Sequence, residues 1–208
     1  LIFMGLPPAV ANGTNRIAIV VATLSANIGY ASKKVVTYPF SIYLGISALF
    51  GAILGAKIAI EIDGAIFNRI LAIIMIIVVL IMVFNPKMDD NLYQERTTGK
   101  HLVISLFAFF FIGIYGGFIN AGIGFIIMLF LNIFNRMNLI RVNAAKVGVA
   151  SIYTIGALTT FAISGNVNWL YGLILALGTS VGAWTASRSS VDSCLLYTSP
   201  SPRDTLLS

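Results

Sequence analysis

The strongest constraint on this chain is a series of apolar blocks, each about as long as the hydrocarbon core of a bilayer is thick. A helix needs about 20 apolar residues to cross that core, and blocks of this length recur along most of the sequence. Few charged residues interrupt them. The pattern predicts an all-α fold, namely a polytopic transmembrane helical bundle in contact with the lipid bilayer.

The composition also indicates a membrane protein. Hydrophobic residues make up 58% of the chain and charged residues 10%, whereas soluble domains carry about 25% charged residues. The net charge is +6, but basic residues such as Lys33, Lys57 and Arg188 lie mostly at the edges of apolar blocks. Helix ends meet lipid headgroups at such positions, so we expect no nucleic-acid partner.

The apolar blocks predict six or seven helical elements, depending on how one long block divides. The blocks run from about Val10 to Ala31, Pro39 to Ile60, Ile66 to Phe84, His101 to Phe134, Val142 to Ser164 and Trp169 to Ser187. The fourth block is too long for one untilted span, and glycines cluster near its middle. Because each glycine weakens a helix interior by roughly 1 kcal/mol, we expect a broken Gly-rich helix or a re-entrant segment there.

An internal repeat is the most informative feature of the sequence. An offset of 131 residues places Asn12 on Asn143, and it also aligns glycines, aromatic residues and cations at equivalent points. Apolar helices align by chance, so the matched polar residues and glycines carry the argument. We predict a duplicated protein, because transporters commonly contain such repeats. The loop charges leave open whether the two repeats are parallel or inverted.

The repeat divides the chain into four segments. They are a first repeat at 1–84, a polar loop at 85–100, a second repeat at 101–192 and a tail at 193–208. The tail is polar and resembles one reading frame of a sequencing adapter, so we expect it to be non-native. We also expect the chain to be a gene fragment whose first repeat lacks its N-terminal part and whose second repeat lacks its C-terminal part.

Polar residues near the start of one span in each repeat are the first candidate site. Asn12, Asn15 and Arg16 share a helix face by their i, i+3 and i+4 spacing, as do Asn143 and Lys146. Ionisable residues inside a span are costly and indicate function, and cations with amides near a helix start suit an anion. Alternatively, both cations extend to the membrane interface.

The Gly-rich break is the second candidate site, and it contains Asn120, Gly122 and Gly124. A broken helix exposes backbone N–H groups, and transporters hold anionic groups at half-helix N-termini. Asn120 could donate a hydrogen bond directly. Alternatively, the glycines allow close helix packing, and both interpretations can hold together. We assign packing alone to two GxxxG patterns, Gly51-xxx-Gly55 and Gly178-xxx-Gly182.

Motifs for catalysis and metal binding are missing from the sequence. There is no HExxH, no Ser/His couple and no pair of membrane aspartates, and the only cysteine, Cys194, lies in the predicted tail. The acidic loop residues Asp89, Asp90 and Glu95 lack the spacing of a calcium loop. We therefore expect no catalytic residues, no bound metal and no cofactor.

Four segments resemble the sulfite exporter TauE/SafE family of membrane permeases. They are Pro8–Thr14, Gly116–Gly124, Arg141–Lys146 and Ser164–Trp169. The resemblance covers essentially residues 5–190 and implies two related halves, each with a Gly-rich break. It also implies a substrate among sulfite, sulfonates and related sulfur or organic anions.

These observations predict a permease for a small inorganic or organic anion, working by alternating access between two repeats. Arg16 and Lys146 would supply charge, and Asn12, Thr14, Asn15, Asn120, Asn143, Gly122 and Gly124 would supply hydrogen bonds or backbone access. We expect a multi-pass protein of the bacterial inner membrane, with homo-oligomerisation left open. A non-transporting assembly subunit and an intramembrane enzyme are the alternatives.

Overall fold

The computed structural model of the chain describes residues 1, 4–83 and 95–198, without the side chains of 78, 81–83 and 192–198. The described part contains seven α-helices. They are α1 (Pro8–Ser32), α2 (Phe40–Glu61), α3 (Gly64–Val83), α4 (Lys100–Phe118), α5 (Ile123–Ile133), α6 (Leu139–Ile163) and α7 (Trp169–Thr198).

The predicted all-α membrane fold is confirmed. Within the described residues, α2, α4, α6 and the first part of α7, Trp169–Val191, are long and apolar enough to cross a membrane. Most of the predicted polar loop, the end of the third span at Phe84 and the last ten tail residues, 199–208, lie outside the described residues. The helix α7 continues past the predicted end of its span at Ser187.

The predicted interruption of the long Gly-rich block is also present. The helix α4 ends at Phe118 and α5 begins at Ile123. Between them, Asn120 has a φ of 65° and Gly122 a φ of 70°. This left-handed conformation is open to glycine and is tolerated by asparagine, so the sequence permits the chain to leave the helix at this point.

The two helices on either side of the break form a hairpin. The Ser105 hydroxyl near the start of α4 bonds with the side chain of Asn135, just after α5. Midway along the pair, the rings of Phe109 and Phe130 meet edge to face with centroids 5.6 Å apart. The 11-residue helix α5 therefore returns toward the end of the bundle from which α4 starts.

Small residues let α2 approach α4 at backbone distance. A Cβ atom on Gly113 would overlap the backbone of Ala48, and one on Gly51 would overlap the backbone of Phe110. The packing role predicted for Gly51-xxx-Gly55 is confirmed, because Gly55 faces α4 in the same way. In contrast, Gly178 and Gly182 are exposed on α7 with no atom near their Cβ positions among the described residues.

The helices α1 and α6 run antiparallel. Gly13 near the start of α1 lies against Phe161 near the end of α6. Ala144 near the start of α6 shares a buried cluster with Tyr30 near the end of α1. The 131-residue offset exchanges these two contacts. The duplication stays a prediction, but the helices that it equates point in opposite directions, so the repeats that it predicts are inverted.

A second pair of contacts obeys the same offset. Ile17 of α1 contacts Gly172 of α7, and Gly148 of α6 contacts Ser41 of α2. Each of the two equated helices, α1 and α6, therefore packs beside the helix that follows its counterpart in the other predicted repeat, with α1 parallel to α7 and α2 parallel to α6. This exchange places α1 and α6 together at the centre of the bundle.

The close approach of α2 and α4 predicts opposite effects for the same substitution at two glycines. Gly113→Ala should lower the midpoint of thermal unfolding in detergent, since overpacking typically costs about 1–3 kcal/mol. Gly178→Ala should leave the midpoint unchanged or raise it, because alanine is the better helix former and no described atom lies within 4 Å of the added Cβ. Equal midpoints for the two variants would contradict this packing.

Candidate functional site

Two local signals place the polar helix starts. Pro8 occupies the first turn of α1, where its missing N–H group costs nothing and its fixed φ suits a helix. The Oδ1 atom of Asn138 accepts a bond from the backbone N–H group of Arg141 at 2.9 Å and so caps α6. These starts set the register in which Arg16 and Lys146 face the break.

The side chain of Arg16 is fully buried at the end of α4. Its Nη2 atom donates to the carbonyl oxygen of Gly117 at 2.8 Å and to Oδ1 of Asn12 at 3.3 Å. Its Cζ atom lies 5.8 Å from the ring centroid of Phe161. Carbonyl groups in the last turn of a helix are unpaired and form its negative end, so Arg16 stabilises the C-terminus of α4.

Most of the Arg16 guanidinium is nevertheless unpaired. The Nε and Nη1 atoms are buried and have no hydrogen-bond acceptor in the part of the chain that the structure describes. Buried charges in proteins are ordinarily paired, and no described carboxylate forms an ion pair with this one. Arg16 thus offers further N–H donors beside the break and a positive charge that no described carboxylate neutralises.

Asn12 joins Arg16 in holding the end of α4. Its Nδ2 atom donates to the carbonyl oxygen of Phe118 at 2.7 Å, while its Oδ1 atom accepts from Arg16. The predicted i, i+4 pairing of Asn12 with Arg16 is therefore seen in the structure. Together the two side chains bind two of the last carbonyl groups before the break.

Two tyrosines hold the break itself. The Tyr153 hydroxyl of α6 donates to Oδ1 of Asn120 at 2.8 Å, and its ring lies against Gly116. The Tyr115 hydroxyl donates to the carbonyl oxygen of Ala121. Sequence reasoning missed Tyr153, although its position seven residues after Lys146 places both on one face of α6.

Lys146 faces the other side of the break. Its Nζ atom donates to Oδ1 of Asn143 at 2.8 Å and lies 3.4 Å from the sulfur of Met128. Its aliphatic stem passes Gly124 in the first turn of α5, where an added Cβ would stand 3.6 Å from Cδ of the lysine. The ammonium and the N-terminus of α5 are both positive, so they favour negative charge between them.

Thr14 faces away from the break, and Asn15 borders it only across a shared cavity. The Thr14 hydroxyl is buried and accepts the backbone N–H group of Asn168 at 2.9 Å, which fixes the turn between α6 and α7. Asn15 is exposed and lines a cavity of about 400 Å³ with Asn12 and mainly apolar side chains. The cavity also includes Ile119 of the break, and Asn143 is connected to the break only through its bond with Lys146.

Comparison with known proteins identifies the family of the chain. The family model of the sulfite exporter TauE/SafE proteins matches residues 1–192. The chain belongs to this family. No solved structure matches the chain.

Several bacterial relatives are similar to most of the chain. A "Probable membrane transporter protein" of Haemophilus influenzae is 28% identical over 88% of this chain and 71% of its own length. The protein ORF9 of Sinorhizobium sp is 28% identical over 90% of the chain and 71% of its own. YfcA of Escherichia coli K12 is 29% identical over 90% of the chain and 69% of its own length. ORF9 and YfcA are likewise described as probable membrane transporter proteins.

Membership in the TauE/SafE family makes the protein an integral membrane protein of a transporter family. The predicted resemblance is thereby confirmed, as are the predictions of transmembrane helices and of a permease. The descriptions of the three relatives specify membrane transport and name no substrate.

The placement of Thr14 predicts that it contributes to stability and not to substrate affinity. Thr14→Val should lower the thermal midpoint, because an unpaired N–H group at Asn168 costs about 1–3 kcal/mol, while the KM for any transported anion stays unchanged. Thr23→Val is the matched control, since the Thr23 hydroxyl bonds only carbonyl groups of its own helix. A KM that rises in Thr14→Val and not in Thr23→Val would contradict this prediction and show that Thr14 takes part in substrate binding.

Proposed function

We propose that this protein transports a small anion across the bacterial inner membrane, with a sulfur oxyanion or an organosulfonate such as sulfite as the substrate. The observation that carries the proposal is the buried guanidinium of Arg16, whose Nε and Nη1 atoms lack acceptors among the described residues. It lies beside the break between α4 and α5. The family description, which names sulfite, supplies the substrate class.

The buried charge of Arg16 favours an anion for an electrostatic reason. Taking an ion out of water costs several kcal/mol, even after the protein relaxes. The carbonyl of Gly117 and the amide of Asn12 offset only part of this cost, because both are neutral dipoles. An anion that binds the remaining N–H groups would supply the missing negative charge in a low-dielectric setting where the attraction is strong.

The donors around the break suit an oxyanion more than a halide. Arg16 presents N–H groups in a planar arrangement that matches the oxygens of carboxylate- and phosphate-like groups. Lys146 adds an ammonium point charge, and Asn120 adds an amide. An oxyanion has several oxygens with which to accept these donors at once, whereas a spherical ion has no such directional complementarity.

The arrangement of α1 and α6 supports alternating access. Each of these antiparallel helices directs one cation, Arg16 or Lys146, toward the break, and each belongs to a different predicted repeat. Inverted repeats commonly alternate by one repeat rocking against the other around a fixed site. In this scheme the α4–α5 hairpin, with the break at its tip, would move relative to α1 or to α6. The substrate would stay between α1 and α6.

Neutralising both cations tests the proposed function. The flux of sulfite, sulfate, thiosulfate and methanesulfonate into proteoliposomes would be measured for the wild type and for Arg16→Gln combined with Lys146→Gln. We expect the wild type to carry at least one of these anions and the double variant to lose that flux. Lys57→Gln is the control, because Lys57 is an exposed cation on α2.

A second variant separates a binding role from a folding role. Arg16→Lys keeps the charge but loses the guanidinium fork, so it should fold, retain some flux and raise the KM about tenfold, as expected when a charged hydrogen bond worth about 1.5–3 kcal/mol is weakened. Unchanged flux in the folded double variant would exclude both cations from the transport site. A well-folded wild type that moves none of the four anions would overturn the proposed substrate class.

A further inference from the structure

Tyr153 is a buried polar group that lies at the break. The side chain is 2% exposed, and its hydroxyl donates to Oδ1 of Asn120 at 2.8 Å. Its ring is wedged against Gly116, at the end of α4. Tyr153 therefore links α6 to the break segment.

The bond from Tyr153 fixes the orientation of the Asn120 amide. Asn120 has one acceptor atom, Oδ1, and one donor atom, Nδ2. The tyrosine occupies the acceptor, and within the described residues Nδ2 has no hydrogen-bond acceptor of its own. A reversed amide would leave the proton of the buried Tyr153 hydroxyl without the acceptor that Oδ1 provides, and unmade bonds of this kind are costly.

The fixed amide adds a donor, and no acceptor, to the donors at the break. Asn120 presents Nδ2, Arg16 presents Nε and Nη1, and Lys146 has an ammonium, which never accepts a hydrogen bond. An anion oxygen without a proton can bind any of these groups. An O–H group on the anion would meet a donor at the Asn120 amide and find no acceptor there for its proton.

We propose that Tyr153 is a positioning residue which, by holding Asn120 with its amide nitrogen free, makes the break select anions whose oxygens all accept hydrogen bonds over anions that carry an O–H group. The inference rests on the proposed function and narrows its substrate class to fully deprotonated oxyanions. Sulfate and monohydrogen phosphate are a suitable pair of probes, because both are tetrahedral dianions and only phosphate retains a proton.

The loss of the tyrosine hydroxyl should weaken this selection. In Tyr153→Phe the aromatic ring still fills the space beside Gly116, but the Asn120 amide can rotate and present Oδ1 to the anion. Monohydrogen phosphate would then gain an acceptor for its proton, whereas sulfate would lose a donor. Both changes lower the affinity for sulfate relative to the affinity for monohydrogen phosphate.

The experiment measures how strongly each dianion inhibits sulfite flux in proteoliposomes under mildly alkaline conditions. For the wild type we expect sulfate to inhibit at a concentration at least about tenfold lower than phosphate, the ratio that corresponds to one mismatched hydrogen bond. For Tyr153→Phe we expect the two inhibition constants to approach each other. Equal or absent inhibition by both dianions in the wild type would overturn the inference.

Tyr115→Phe is the matched control. It removes the bond from the Tyr115 hydroxyl to the carbonyl of Ala121, so it loosens the same break without touching Asn120. It should lower thermal stability and leave the sulfate-to-phosphate ratio intact. A ratio that falls equally in both variants would reduce Tyr153 to a structural support, and an unchanged ratio in folded Tyr153→Phe would refute its positioning role.

The same assay separates this inference from the proposed function. If the wild type carries no sulfite, sulfate, thiosulfate or methanesulfonate, the proposed function fails. If the wild type carries sulfite and the Arg16 and Lys146 double variant does not, the proposed function stands, and the dianion ratio alone decides the role of Tyr153.

Discussion

The contact of Arg16 with the last carbonyl groups of α4 is the interaction on which the site depends. The helix α4 ends inside the bundle because Asn120 and Gly122 leave helical geometry, and its terminal carbonyls then need donors that lipid cannot provide. Arg16 and Asn12 supply them from α1. A helix that carries such polar groups is stable only at the centre, where α6 and α7 cover it.

The two interpretations of the glycines, packing and ligand access, apply to different residues. Gly113 and Gly117 face the backbone of α2 so closely that a Cβ would overlap it. In contrast, Gly122 takes a left-handed conformation at the break and Gly124 borders the stem of Lys146. Close packing of the first pair holds α4 rigidly against α2, which leaves the break as the place where the hairpin can present its backbone.

The elements were predictable from sequence, but their mutual directions were not. The predicted first span, Val10 to Ala31, matches α1 at Pro8–Ser32, because block length and polar edges are local properties. The return of α5 along α4 and the partner of Tyr153, 33 residues away, depend on tertiary packing that no periodicity encodes. Helix spacing also placed Asn15 beside Arg16, yet a face is about 100° wide, and Asn15 lies on its exposed edge.

The proposed site is asymmetric despite the predicted duplication. The 131-residue offset equates Asn12 with Asn143, but it sets Asn15 opposite Lys146 and Arg16 opposite Val147. The two cations therefore occupy different helix faces. The charge of Arg16 is partly offset by the negative end of α4, whereas that of Lys146 is reinforced by the positive end of α5. For the proposed anion, the electrostatic attraction is consequently stronger on the α5 side. On the α4 side, the unpaired guanidinium of Arg16 supplies directional hydrogen bonds.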